Sequence, residues 1–418
     1  MNNTHHTDSG TPRKPLEHLS VLISGASVAG PALAYWLSRY GCTVTVVEKA
    51  PALRDDGFAV DFRGDAHRTV LERMGIWDEI RRRQTHMGEQ IMLDAEGREQ
   101  LRLPPEFMSG EVEIFRGELS AILHERTRHS VEYLFGDSIT ALEESTEEVL
   151  VHFERSAPRS FDLVVGADGL HSNVRRLAFG DESQFVHYLG YYVAGFGAPN
   201  TLGLQRTARW FNAPGRALSY SNYGGDPQRA DVSMVFASPE LHYDRHDTAQ
   251  HKRILAEHYA GLGWEVPRAL TALDAAPHLY FDAIAQVRME KLSTGRVVLL
   301  GDAGYGATMG GMGTGLAIVG AYVLAGELAT QRDHRTAFAG YEAGIRDFAT
   351  GCQKTANGAG GFLAPATDKK IRSRNRTYRM LSSRLMSGIF DRLSVKAANN
   401  IQLKDYPTPH TTGTGAIV

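Results

Sequence analysis

The feature that most constrains this chain is the stretch HLSVLISGASVAGPALAYWLSRYGCTVTVVEK, residues 18–49. Leu19 to Ile23 form a continuous apolar run, the pattern of a strand buried on both faces of a parallel sheet. Leu33, Trp36, Leu37 and Tyr40 then recur at three- and four-residue spacing, with Pro31 near the start and Gly41 at the stop. That spacing predicts an amphipathic helix over 31–40. A second strand, Thr43 to Val47, follows at once. A strand, a tight glycine turn, a helix and a strand make one unit of an α/β sheet.

The turn carries Gly25, Ser27 and Gly30, the spacing of a dinucleotide-binding fingerprint with serine in place of its second glycine. Gly25 suits the tight turn and Gly30 the close approach of helix to strand. Ser27 adds one hydroxyl that can donate to a phosphate oxygen at a helix N-terminus, so nucleotide binding is expected to survive it. Glu48 closes the second strand where an acceptor for ribose hydroxyls belongs. An acidic residue there disfavours a 2′-phosphate and points to FAD or NAD. On this segment alone, a tight turn that binds nothing is the alternative.

Two later segments repeat the theme. FDLVVGADG, residues 161–169, is a buried strand ending in Asp168 and Gly169. GRVVLLGDAGYGATMGGMGTGLAIVGAYVLAGEL, residues 295–328, gives a third strand, Val297 to Leu300, ending in Gly301 and Asp302. Its glycine-dense loop runs into a helix beginning near Gly313, aiming backbone amides and the helix dipole at whatever Asp302 touches.

These three segments, with RDDGFAVDFRG (54–64) and EIFRGELSAIL (113–123), resemble the group A flavoprotein monooxygenases of the para-hydroxybenzoate hydroxylase type over nearly the whole chain. Within them the chain looks most like the tetracycline-inactivating and aromatic-polyketide-tailoring branch. The resemblance implies that the first motif binds the ADP half of FAD and that the Asp168 segment lies between the flavin and NAD(P)H sites. It also implies that the Asp302 segment binds the ribityl and pyrophosphate part. By position it makes Arg54 an NADPH contact, Asp61 and Arg116 flavin contacts, and Arg63 a candidate for the same neighbourhood. One departure stands out: Gly304 and Tyr305 replace the family's alanine–histidine pair, and no proline occurs between Asp302 and Gly315. Those prolines normally line the flavin near its reactive carbon, so the departure bears on oxygen activation rather than on flavin binding. Tyr305 becomes the tentative residue for a hydrogen bond to substrate or flavin.

The chain's 418 residues exceed by about two- to threefold the size at which one core grows efficiently, so two packed domains are expected. The expected boundaries are a tail over 1–16, an FAD-binding domain over 17–183 and 286–357, a substrate-binding β domain over 184–285, and a C-terminal bridging helix over 366–399. The fold class is thus α/β: a Rossmann-like FAD-binding domain, an inserted mostly antiparallel β-sheet substrate domain and a long C-terminal helix. From about 184 to 285 the chain turns to short runs rich in Tyr, Phe, Val and Ser, the pattern of antiparallel strands, with GGDP after Tyr223 as a turn. Tyr188, Tyr192, Trp210, Phe211, Tyr220 and Tyr223 suit a flat unsaturated ligand, with Trp210 and Tyr220 the expected substrate contacts. Aromatic residues also favour strands for packing reasons alone. GAGGFLAP, residues 358–365, reads as a linker. Thr367 and Asp368 then cap a helix whose apolar positions are Tyr378, Leu381, Leu385, Ile389 and Leu393. Its arginines, Arg372, Arg374, Arg376, Arg379 and Arg384, read as a solvated basic face.

A formal net charge of -3 lacks the basic excess that nucleic acid demands. MNNTHHTDSG lacks the apolar core of a signal peptide, and the run LAIVGAYVLA from Leu316 is about half the length needed to span hydrocarbon. A buried helix, no membrane and no nucleic-acid partner are therefore expected. Cys42 and Cys352 have no neighbour at metal or redox spacing and read as free thiols in the cytoplasm. The leading expectation is an enzyme, monomer or homodimer, that takes hydride from NADPH or NADH onto FAD. It reacts the reduced flavin with O₂ and oxygenates an aromatic or polyketide-like small molecule in antibiotic biosynthesis or resistance, with no metal. A flavin dehydrogenase or desaturase, a flavin halogenase, and a flavin- or aromatic-binding protein without turnover are the alternatives. The four widely spaced tryptophans argue against the halogenase.

Overall fold

The computed structural model describes residues 16–54, 57–309, 312–381 and 400–407. A six-stranded sheet runs in the order Ser293–Thr294, Val297–Leu299, Leu163–Gly166, Ser20–Ser24, Thr43–Glu48, Glu132–Phe135. The pairings of Ser20–Ser24 with both neighbours are parallel, as are those of Leu163–Gly166 with Val297–Leu299 and of Thr43–Glu48 with Glu132–Phe135. The helix Ala29–Tyr40 follows the first strand and ends on Gly41 at φ 104°, within two residues of the expected bounds. Against it packs Gly313–Thr330, apolar and long enough to cross a membrane by composition, yet 78% buried beneath neighbouring helices. Its one internal acid, Glu327, is buried and receives hydrogen bonds from Lys404 (2.6 Å), Tyr406 (2.8 Å) and Gln331 (2.9 Å). Residues 400–407 thereby strap back across the cofactor domain. Cys42 and Cys352 are buried and unpaired.

The second domain is a seven-stranded sheet in the order Tyr280–Val287, Val186–Pro199, Arg229–Ala237, Arg216–Asn222, Thr207–Ala213, Gln90–Leu93, Glu99–Leu103. The expected extent of this domain, 184–285 alone, is corrected here. Gln90–Leu93, from the first third of the chain, pairs parallel with Thr207–Ala213, so the substrate sheet is built from two separate segments. Two helices absent from the sequence reading, Thr248–Tyr259 and Val266–Ala275, cover the outer face over a core that includes Tyr192, Phe211, Tyr220 and Phe236. The inner face turns toward the cofactor domain.

The stretch expected as a linker instead forms a short helix, Ala359–Leu363. It is possible because Gly360 lies under the Tyr191 ring, where a Cβ would meet ring carbon at 2.4 Å. The next helix, Asp368–Leu381, begins where expected, with the Thr367 hydroxyl accepting from the Lys370 amide at 3.2 Å. Arg372, Arg376 and Arg379 are exposed as expected, but Arg374 is buried at 9% exposure. Arg384, Leu385, Ile389 and Leu393, with the rest of the helix expected to residue 399, lie outside the described residues, as do 1–15.

Candidate active site

Gly25, Glu48, Asp168 and Asp302 sit at the carboxyl ends of the strands of the parallel sheet, where an open α/β sheet receives ligands, whereas Asp61 lies on a separate two-stranded sheet. Gly25 adopts φ 107°, and a Cβ on it would lie 2.4 Å from the Ala167 carbonyl. A Cβ on Gly30 would lie 1.9 Å from the Gly25 carbonyl. Both glycines are therefore obligatory for the turn, whereas Ser27 is exposed at its mouth. Glu48 accepts from the Ala26 amide at 2.9 Å through one oxygen and from the Ala50 amide at 2.9 Å through the other. It ties the glycine turn to the second strand, and each oxygen keeps a lone pair for a ribose hydroxyl.

Asp168 accepts from the Ser172 hydroxyl at 2.5 Å and the Val174 amide at 3.0 Å, with the Ser24 hydroxyl at 3.3 Å. It caps the short helix Asn173–Ala178, beside Gly169 at φ 85°. Burial pushes its carboxyl upward despite those donors. The adjoining His171 holds Glu182 at 3.1 Å and Asp282 of the substrate sheet at 3.3 Å. Arg245 and Arg175 also reach Glu182, at 2.5 and 3.6 Å. Burial alone would lower the His171 pKa, but its bonds to Asp282 and Glu182 bring it up to about 8.

Asp302 opens a single helical turn, Asp302–Tyr305, after Gly301 at φ 65°. Its side chain is exposed, with protein packed around it. That enclosure raises its carboxyl, and the nearby Arg116 guanidinium opposes the rise. Arg116 itself lies beneath Gly57, where a Cβ would meet Nη2 at 2.6 Å. Gly313 lies beside Asp302, and a Cβ on it would sit at ordinary contact distance, 3.6 Å, from Oδ1. Arg54 is exposed on the loop leading to Gly57. Asp61 and Arg63 form an ion pair, and Arg63 also donates to the Phe107 carbonyl at 3.2 Å.

The loop after Asp302 is stitched to the substrate sheet. The Thr308 amide donates to the Ala285 carbonyl at 3.0 Å, and the Val287 amide to the Gly306 carbonyl at 2.9 Å. Met309 and Met312 stand at φ 56° and 109°. Proline, locked near −65°, cannot occupy either position, which gives the proline-free loop a physical reason. Tyr305 does not face the cleft. It is buried in the core and accepts from the Tyr341 hydroxyl at 2.9 Å, lying over Gly320, so its expected contact with flavin or substrate is corrected to a packing role.

On the inner face of the substrate sheet, Trp210 donates to Gln90 at 2.7 Å. Tyr223 packs against Phe115 with ring centroids 4.8 Å apart, and Tyr280 against Phe58 at 5.4 Å. Between these rings the floor is made of short side chains and one acid in register, Gly195 beside Ser233 beside Ser219 and Gly197 beside Asp231 beside Ser221, with the Phe58 ring over Gly195. Tyr220 is on the opposite face, under the outer helices against Trp264 at 6.0 Å, and its tentative substrate role is corrected accordingly. The sequence reading missed Phe58, Glu113, Tyr280 and Met309. Glu113 stands directly across from Asp61 on the paired strands Ala59–Phe62 and Val112–Phe115, with the Thr85 hydroxyl donating to it. Burial pushes its carboxyl up to about 7, and the charge of Asp61 adds to the rise. The signal available was alternation: Glu113 and Phe115 share one face of a strand whose other face carries Val112 and Ile114.

The donor set suits a dinucleotide that bears a planar ring system: a glycine cradle that any Cβ would fill, an acid for ribose, and Arg116 and Asp302 at the cleft. Known proteins agree. Residues 18–185 match the family model described as an FAD binding domain. A Mycobacterium tuberculosis protein without assigned function is 43% identical over 338 residues, covering 79% of this chain and 90% of its own. A flavin-dependent monooxygenase of Legionella longbeachae is 37% identical over 345 residues, covering 81% and 88%. The crystal structure of the tetracycline destructase Tet(55) superposes with a TM-score of 0.81 at 34% identity, covering 93% of this chain and 99% of that one.

Proposed function

Since the chain belongs to the group A FAD-dependent monooxygenases, we propose that its inner sheet face holds a flat, multi-ring aromatic or polyketide-like molecule for oxygenation. FAD, when bound, supplies the redox chemistry, with NADPH or NADH as hydride donor and O₂ as oxidant. Gly25, Ser27 and Gly30 would hold its pyrophosphate, Glu48 its ribose, Arg116, Asp302 and the amides from Gly313 onward its ring-bearing half, and Asp168 with Gly169 the approach of the nicotinamide. Arg54, exposed on the loop before Gly57, would steer the nicotinamide nucleotide's phosphate. The observation that carries the substrate reading is the floor of Gly195, Gly197, Ser219, Ser221 and Ser233 between Trp210, Tyr223 and Tyr280. The short side chains of Ser219, Ser221 and Ser233 leave room for a planar body beside the Phe58 ring, which covers Gly195, and the rings give it area to bury. The loop stitched to Ala285 and Val287 joins that floor to the Asp302 segment, which would preorganise substrate relative to the cofactor.

A water-soluble cytoplasmic enzyme, monomeric or homodimeric, completes the reading, supported by the net charge and the two unpaired cysteines. The test is turnover of the flavin-loaded enzyme on polycyclic phenols under labelled O₂, with NADPH consumption followed in parallel. Ligand-stimulated consumption with one labelled oxygen in the product is expected. Stimulated consumption with no label would replace oxygenation by dehydrogenation.

A further inference from the structure

Arg374 departs from the other arginines of its helix because its guanidinium is buried among neutral groups. Nε donates to Asn375 at 3.0 Å, Nη1 to the Phe362 carbonyl at 2.6 Å, and Nη2 to Asn212 and Asn375, each at 2.8 Å. Four of five N–H groups are thus engaged and one Nη1 hydrogen remains. Among the described residues no carboxylate lies within ion-pairing distance of Arg374. Burial lowers its pKa to about 10, so it stays charged at neutral pH.

A fastener between helix and sheet needs hydrogen-bond donors but no net charge, and a neutral amide would supply two of the four used here. A buried charge without a counter-charge is costly, and buried charges are otherwise paired. The position says where a partner would come from. Asn212 lies on the same sheet face as Trp210, and Phe362 packs against Phe107 at 5.5 Å and Tyr378 at 5.0 Å, closing the end of the cleft nearest the C-terminal helix. The guanidinium lies 5.4 Å from the centre of the Phe362 ring.

We propose that Arg374 reads charge in the substrate cleft, and that the substrate presents an anionic oxygen to it, either a carboxylate or the phenolate or enolate of an acidic hydroxyl. This rests on the aromatic-substrate reading above and names one further property of that substrate. It makes Arg374 a specificity residue for binding, with no part in the redox steps.

Three planar probes separate the possibilities: anthraquinone-2-carboxylate, 2-hydroxyanthraquinone and the neutral 2-(hydroxymethyl)anthraquinone, each measured by equilibrium dialysis against the flavin-loaded full chain at pH 6 and pH 8. The expected result is at least about tenfold tighter binding of an anionic probe, the strength of a charge-assisted contact. A preference present at both pH values identifies a carboxylate, and one that grows with ionisation of the hydroxyl identifies a phenolate. Arg374→Met should bring the probes to equal affinity and Arg374→Lys should keep part of the preference, with flavin content unchanged. Equal affinity of all three for the wild type, or a preference that survives Arg374→Met, overturns the assignment and leaves the aromatic reading intact. Binding of none overturns both. Should Arg374→Met fail to fold, the wild-type comparison and Arg374→Lys still decide.

Discussion

At the residue scale, the glycine turn separates what is obligatory from what is only usual. Gly30 has no room for a methyl group, because its Cβ would lie 1.9 Å from a backbone carbonyl that cannot swing away. Gly30→Ala should therefore cost about 3 kcal/mol and lower the flavin retained through purification, read from the ratio of flavin to protein absorbance and from the melting temperature. Ser27 is exposed, so Ser27→Gly should change flavin affinity by no more than about threefold. A large loss on restoring that glycine would mean that the serine hydroxyl is itself a phosphate ligand. These residues were legible in the sequence because a backbone that excludes side chains leaves glycines at fixed spacing. The aromatic residues were not. Trp210 and Tyr220 lie on opposite faces of their sheet, and alternation would reveal this only if one face met water. Here helices cover the outer face and the cofactor domain the inner one, so Arg216–Asn222 is buried at nearly every position.

At the element scale, the loop between Asp302 and Gly313 shows how a departure from a family pattern can be structural. Met309 is held at φ 56° beside backbone bonds that join Thr308 to Ala285 and Gly306 to Val287. Restoring a proline by Met309→Pro should break that geometry at a cost of about 3 kcal/mol. Met309→Gly should keep the loop and flavin binding while losing contact with the aromatic wall. Hydrogen exchange of the Thr308 amide in the three proteins distinguishes them, and unchanged protection in Met309→Pro would show that the loop tolerates a second conformation. The missing prolines were visible in the sequence, but their cause was not, because a dihedral angle at a methionine has no signature in residue type. The short helix at Ala359–Leu363 was hidden for a related reason. A glycine-rich segment looks like a linker until Tyr191 is seen resting on Gly360.

At the scale of the whole molecule, stability depends on titrating groups whose effects oppose one another, one of which bridges the two domains. His67 is completely buried against Gly315, and burial holds its pKa near 4. The unfolded chain binds that proton first, so His67 makes stability rise with pH between about 4 and 6.5. Glu113, held near 7, acts with the opposite sign across nearly the same interval, and the two largely cancel. Above pH 6.5 the uncompensated group is His171, which joins the Asp168 segment to Asp282 and Glu182 with a pKa near 8. Its folded pKa lies above the unfolded value, so its contribution is complete below 6.5 and is lost as pH rises through 8. The loss amounts to roughly 2 kcal/mol between those limits. Burial raises the carboxyls of Asp168 and Asp302 as well, so the wild-type profile alone does not isolate the histidine. The difference between the wild type and His171→Gln does. Urea unfolding from pH 6 to 9 should show the wild type ahead at low pH and the gap closing through pH 8. A gap that does not vary with pH would make His171 a packing residue, and the link between the Asp168 segment and the substrate sheet would have to rest on Arg245, Arg175 and Glu182 alone.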